Sequence, residues 1–260
     1  MMNETTEQPS RPALAYENQE FLKGPDARAL RILSEYLEPL SHFRHQRIRD
    51  TVVFFGSARI QEDGPLGQYY KDARRLAAMV TAWASTFHER TYRFVVCSGG
   101  GPGIMEAANR GAMDVKGKTI GLNIGLPFEQ FPNPYITHSL SFEFHYFFMR
   151  KFWFAYLAKA LVVFPGGFGT MDELFEVLTL VQTRKLAKNI TIVLYGSSYW
   201  KEIVNFDALV KYGTVSAADL ELFHFADTPE DAMQILQESL TRHAEIPEAE
   251  VPAIASSTKP

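Results

Sequence analysis

From residue 51 onward, short apolar runs rich in Val, Ile and Phe alternate with longer segments whose apolar residues recur at helical spacing. Parallel strands need a connection long enough to return along the sheet, and a helix supplies it. The alternation therefore restricts the chain to an α/β fold, a doubly wound parallel sheet with helices on both faces. The spacing predicts strands over 51–55, 93–97, 118–123, 135–139, 160–164 and 190–194, with a further short one near 222–225. It predicts helices over 67–87, 103–113, 145–159, 171–183, 198–211 and 229–243. Ahead of these, Leu30, Leu33, Leu37 and Leu40 mark a helical extension over about 26–44, expected to serve packing. Residues 1–20 and roughly 245–260 are polar and aperiodic, and are read as loosely attached ends without function. The chain thus divides into an N-terminal segment with its helical extension (1–45), one domain (46–244) and a tail (245–260). With 260 residues and 46% hydrophobic content, a single large core is within reach.

Ligands of such sheets sit at the carboxyl ends of the strands. Three strands end there in small or glycine-rich turns: Gly56-Ser57-Ala58-Arg59, Ser98-Gly99-Gly100-Gly101-Pro102-Gly103 and Pro165-Gly166-Gly167-Phe168-Gly169-Thr170. A glycine turn leading into a helix offers free N–H groups, the positive end of the helix dipole and close backbone approach, which together suit a phosphate. The glycines of the three turns, with Ser57, Ser98 and Thr170, are therefore candidate substrate-binding residues. No lysine follows the glycines as in a triphosphate loop. The Gly99 turn also departs from G-x-G-x-x-G, and no acidic residue ends the next strand at Asn123 to hold a ribose. A single phosphate on a small nucleoside suits these turns better than a dinucleotide or triphosphate.

The third turn runs into Met171-Asp172-Glu173, placing a carboxylate beside the anion site. Two readings of Glu173 stay open on spacing. Thr170-Met171-Asp172-Glu173 fits a capping box, with Thr170 as the cap and Glu173 reaching back to it; alternatively, Glu173 has a chemical role. Glu176 stands three residues further on, nearly on the same helical face. Upstream, the run Phe144–Phe154 reads as a helix buried all round or at an interface between subunits, yet it carries Arg150 and Lys151. Charges in so apolar a helix are costly unless paired or facing a polar cavity, and a guanidinium grips phosphate or carboxylate with two bonds. Arg150 is thus a candidate for meeting substrate, with Lys151 beside it.

The net charge of -4 argues against a broad nucleic-acid footprint. The single cysteine, Cys97, lies within an apolar run as a core thiol, and one cysteine forms no internal disulfide, as expected of a cytoplasmic protein. The polar N-terminus has no signal-peptide core, and the apolar stretch 142–164 is broken by Arg150, Lys151 and Lys159, so no membrane association is expected.

Pro165-Gly-Gly-Phe-Gly-Thr-Met-Asp-Glu173 fits P-G-G-x-G-T-x-x-E, and with Arg150-Lys151 upstream the chain resembles the LONELY GUY (LOG) family, long labelled lysine decarboxylases. The likeness spans 51–200 and takes in the Gly56-Ser57 turn, the Gly99–Ala107 loop, the 121–127 segment and Asn133-Pro134-Tyr135. It implies a Rossmann-like homodimer, or an assembly of dimers, that hydrolyses the N-glycosidic bond of a nucleoside 5′-monophosphate to free base and ribose 5-phosphate, with no metal or cofactor. The purine is of cytokinin type or is that of AMP. The catalytic pair of the family falls on Arg150 and Glu173, with Glu106 and Arg110 within reach of base or ribose. The helical extension, the tail and the form of the second loop resemble a longer bacterial subgroup. The old label fits poorly, because a pyridoxal enzyme needs a Schiff-base lysine and none of the three turns carries one. A second reading is a non-catalytic nucleotide or molybdenum-cofactor carrier of the same fold, and a third is a nucleotide-sensing module.

Overall fold

The computed structural model describes residues 12–87, 90–125, 131–185 and 190–244. Among them, strands β1 (Thr51–Phe55), β2 (Val95–Ser98), β3 (Thr119–Ile124), β4 (Ser141–Phe144), β5 (Ala158–Val163), β6 (Thr191–Tyr195) and β7 (His224–Ala226) form one sheet, in the order β4-β3-β2-β1-β5-β6-β7. Every neighbouring pair is parallel. The helices are α1 (Gln19–Lys23), α2 (Arg28–His45), α3 (Gly67–Ala84), α4 (Ile104–Asp114), α5 (Phe147–Leu157), α6 (Phe168–Gln182), α7 (Ser197–Ile203), α8 (Phe206–Lys211) and α9 (Pro229–Ala244). This is the doubly wound, Rossmann-like architecture that the alternation implies. No described helix is long and apolar enough to cross a membrane.

Both faces of the sheet are covered, which is why its strands read as unbroken apolar runs. Val52 and Phe54 of β1 pack with Leu76 of α3, Ile104 of α4 and Leu236 of α9. Val53 and Phe55 pack on the other face with Phe43 of α2, Trp153 of α5, Leu174 of α6 and Trp200 of α7. From β1 the chain steps outward through α3 to β2, β3 and β4. It then returns to β5 on the other side of β1 and steps outward to β6 and β7. Right-handed crossovers in opposite directions put α3 and α6 on opposite faces, so the turns after β1 and β5 part above the boundary between those strands.

Several elements differ from their sequence-based placement. The strand expected over 135–139 is instead Ser141–Phe144, preceded by a 3-10 turn at His138–Leu140. The Asn133 side chain accepts the Tyr135 N–H and turns the chain where pairing was expected. The helix expected over 198–211 breaks at Val204 and Asn205, because Asn205 Oδ1 accepts the Ala208 N–H and caps a new helix, α8. In α2 the leucine stripe does not supply the main packing face: Leu30, Leu33 and Leu37 are exposed, while Ile32, Tyr36, Leu40 and Phe43 meet the core. Helix α5 is not buried all round either, since Phe148, Phe152 and Tyr156 are exposed on this chain. Within the end read as loosely attached, residues 12–20 are exposed, though α1 begins at Gln19. Residues 1–11, the tail from 245 and the end of the 121–127 segment lie outside the described residues.

The extension has a specific task. Glu35 of α2 accepts the His145 N–H at 2.7 Å and the Tyr146 N–H at 3.2 Å, which caps α5 from outside because no side chain next to α5 does so. Its carbonyl accepts the Trp153 indole N–H at 2.9 Å, and Tyr36 stacks on the same indole. Helix α5 is thus held at two points along its length. Glu35→Ala is expected to destabilise the protein by about 1–2 kcal/mol in urea unfolding, whereas Glu38→Ala on the exposed side of α2 changes little. Equal losses would contradict the cap.

Candidate active site

Strand β5 ends at Val163, and Phe164 to Gly167 carry the chain into α6. Gly167 occupies the N-cap position without a side-chain cap, and Phe168, Gly169 and Thr170 form the first turn. Thr170 is therefore third in the helix and Glu173 sixth, too far along to reach back to the cap. The capping box that spacing allowed is not formed, because both Phe168 and Gly169 join the helix. Thr170 instead packs against Gly166, where a Cβ would overlap its hydroxyl. Two bonds fix the turn from outside: Tyr199 of α7 donates its hydroxyl proton to the Gly166 carbonyl at 2.7 Å, and the Ser57 N–H donates to the Pro165 carbonyl at 3.0 Å. Since the peptide is planar and trans, holding the Gly166 carbonyl toward Tyr199 directs the Gly167 N–H the opposite way.

Arg150, near the start of α5, donates its Nε proton to the Leu122 carbonyl of β3 at 2.7 Å, and its guanidinium lies over the Phe154 ring. Its Nη1 stands 4.0 Å from Glu173 Oε1, within charge range but too far for a hydrogen bond. A Cβ on Gly99 would strike both this guanidinium and Met105, so the bareness of the second turn makes room for Arg150. Glu173 is only 7% exposed. Burial pushes its carboxyl up to about 7, against the pull of Arg150 and Lys151 and with help from Glu176 and Asp172. Burial likewise lowers the Arg150 pKa, with Glu173 opposing, but a guanidinium starts so high that it stays charged. Near neutral pH Glu173 therefore exists in both protonation states beside a fixed cation, as a group that exchanges protons must.

The pair lines a cleft of about 630 Å³ between the turns after β1 and β5. Of the residues expected at a site, Gly56, Ser57, Arg150, Gly166, Gly167, Gly169, Thr170 and Glu173 share this lining. Ser98, Gly99, Gly100, Gly101, Gly103, Glu106, Lys151 and Glu176 stand outside it. The second turn is tied inward: the Gly100 N–H donates to Ser98 Oγ, Ser98 donates to Asn109, and the Asn133 amide donates to the carbonyls of Gly100 and Gly101. Gly103 adopts positive φ and packs against the Ser57 carbonyl. Glu106 accepts from the Tyr70 hydroxyl, and Arg110 pairs with Glu62. Lys151 pairs with Asp172 and Glu176. Sequence reasoning overlooked Met105, Phe147, Tyr199 and Ile203, and gave Arg59 no role of its own, although all five line the cleft. Tyr199 follows the carboxyl end of β6, so the strand-end rule was the available signal. Cys97 is buried, and burial raises its thiol, as a core cysteine requires.

The raised Glu173 carboxyl has a consequence for stability. Below about its ordinary value of 4.5 both folded and unfolded chains hold the proton; between there and about 7 only the folded chain does. Stability from this group is therefore complete at low pH and lost as pH rises through 7, a loss on the order of 3 kcal/mol. Glu173→Gln, which cannot ionise, is expected to raise the melting temperature near pH 8 by several degrees and to leave it almost unchanged near pH 5. Equal shifts at the two pH values would contradict burial as the cause.

Known proteins share parts of this sequence and its fold. A probable cytokinin riboside 5′-monophosphate phosphoribohydrolase of Oryza sativa subsp. japonica is 30% identical over 95 residues, covering 36% of this chain and 44% of that relative. A cytokinin riboside 5′-monophosphate phosphoribohydrolase of Arabidopsis thaliana, LOG2, is 29% identical over 86 residues, covering 33% and 40%. The matched segment thus spans less than half the length of either relative. Among solved structures, the structural-genomics target TM1055 superposes with a TM-score of 0.52 at 21% identity, over 73% of this chain and 99% of that one, which shows the shared fold. The molybdenum-cofactor carrier protein of Chlamydomonas reinhardtii superposes at 0.49 and 19% identity, over 75% and 99%. The family model described as possible lysine decarboxylase matches residues 105–236, just over half of the sequence and including both Arg150 and Glu173, so the chain belongs to that family, the LOG family.

Proposed function

We propose that this protein hydrolyses the N-glycosidic bond of a purine nucleoside 5′-monophosphate, releasing the free base and ribose 5-phosphate. The observation that carries this reading is the pairing of half-buried Arg150 with buried Glu173, lining a cleft next to a glycine turn at a helix N-terminus. In this scheme the 5′-phosphate rests on the Gly166–Thr170 turn, with Arg59 at the same cleft supplying a further cation. Breaking C1′–N9 sends the bonding electrons to the base and leaves positive charge on the ribose, which the Glu173 carboxylate offsets. Water then bonds to C1′ and passes a proton to Glu173, whose near-neutral pKa lets it return that proton to the departing base. Arg150 holds ribose or phosphate oxygens and keeps Glu173 oriented. The phosphoribohydrolase names of the relatives support the reaction class.

The geometry speaks against an amine-based decarboxylation at this site. Burial disfavours the Lys151 ammonium, yet its bonds to Asp172 and Glu176 leave its pKa raised, the wrong direction for a Schiff-base amine. We also take the functional unit to be a homodimer or an assembly of dimers, in which a second copy covers Phe148, Phe152 and Tyr156.

A panel of nucleoside 5′-monophosphates that includes AMP and N6-isopentenyl-AMP, with released bases identified by chromatography, tests the reaction. Base release is expected from at least one purine nucleotide, with Glu173→Gln folded but reduced by about 10²–10³-fold or more. Unchanged turnover in that variant would sink the proposal. So would release of no base from any monophosphate, and a molybdenum cofactor co-purifying with such an inactive protein would favour the carrier reading instead.

A further inference from the structure

Next to Arg150 on α5, Lys151 places its Nζ 2.8 Å from Asp172 Oδ2 and 2.6 Å from Glu176 Oε2. Asp172 and Glu176 stand four apart on α6, so both present to the same side of that helix, and Glu173 lies between them in sequence. Lys151 is only 17% exposed at its side chain, so this pairing is better shielded than an ordinary surface bridge. The two helices meet here around five charges. Arg150 and Lys151 come from α5, and Asp172, Glu173 and Glu176 from α6; Arg59 from the turn after β1 faces the same cleft.

We propose that Lys151 is a positioning residue: its ammonium joins α5 to the acidic turn of α6 and thereby sets the separation of Arg150 and Glu173. The reason is geometric. The Leu122 carbonyl holds Arg150 on its own side and no hydrogen bond joins it to Glu173, so the 4.0 Å gap depends on contacts between the two helices, and Lys151 supplies one from the residue adjacent to Arg150 to the residue adjacent to Glu173. Lys151 also neutralises two like charges flanking Glu173. Without it, only Arg150 opposes Asp172 and Glu176 at Glu173, and the ionised form is disfavoured further. Lysine at this place is thus tied to orientation and proton affinity and does not itself touch substrate.

The catalytic half of the test rests on the proposed hydrolase reading; the melting half does not. Lys151→Met is expected to lower kcat about 10–100-fold, with KM for the nucleotide changed about twofold or less, because orientation is lost while the phosphate turn is intact. Lys151→Arg, which can span the same two carboxylates, is expected to restore most of the rate. In substrate-free melts, the stabilisation by Glu173→Gln begins near pH 4.5 in either background, and the pH at which it levels off, about 7 with Lys151 present, is expected to move upward in the Lys151→Met background. Asp172→Asn with Glu176→Gln removes the other half of the clamp; it is expected to lower kcat without the upward pH shift, and it stands in if Lys151→Met does not fold. Wild-type kcat in both clamp variants, or the same melting transition with and without Lys151, overturns the proposal. A wild-type protein that releases no base overturns the hydrolase reading alone, and the melting transition then decides the clamp.

Discussion

Parallel strands are joined by right-handed crossovers, and in this sheet the chain leaves β1 toward one edge and β5 toward the other. Because the two strands are neighbours, the helices that follow them lie on opposite faces and the turns between strand and helix cannot close over each other. A cleft at that boundary is forced by topology before any functional side chain is considered. The remaining elements shape it: α5 brings a guanidinium from one side, α6 supplies a carboxylate from below the glycine turn, and α7 reaches in with Tyr199 to hold the turn's carbonyl.

Within that cleft, burial and charge act on Glu173 in opposite directions. Burial penalises the carboxylate most, Arg150 and Lys151 offset part of the penalty, and the result lies near neutral pH, where neither protonation state dominates. A stronger pairing, with Arg150 at hydrogen-bond distance, would fix the carboxylate in its charged form. A cap-like bond to the helix N-terminus would do the same. The 4.0 Å separation and the sixth-residue position of Glu173 in α6 avoid both. Holding such a balance requires rigid helices. Helix α5 is anchored at its start by Glu35 and along its length by the Trp153 contacts, so the N-terminal extension belongs to the support of the site.

Much of this fold is legible in the sequence because strands covered on both faces leave continuous apolar runs ending in glycine; β1 falls on the predicted 51–55. What escaped has identifiable causes. Edge strand β4 is four residues long and alternates buried Phe with more exposed Ser and Glu, a pattern easily lost beside a polar turn. The start of α6 depends on the conformation of Gly167, which spacing does not encode, and so the capping box looked plausible for Glu173. The glycines after β2 announce close backbone approach, but what approaches is the Arg150 guanidinium, Asn123 and the β1 turn, all distant in sequence. The pairing of Arg150 with Glu173 came from family resemblance, since helical periodicity cannot bring two separate helices together.

The proposed chemistry depends on a single carboxyl held near neutrality by burial beside Arg150. Infrared titration of substrate-free protein, with Glu173→Gln subtracted to isolate that group, measures it directly. A Glu173 carboxyl band that gives way to carboxylate around pH 7 is the expected result. Ionisation of Glu173 at its ordinary value of 4.5 would contradict the account, because it would mean that the cleft solvates the carboxylate as water does.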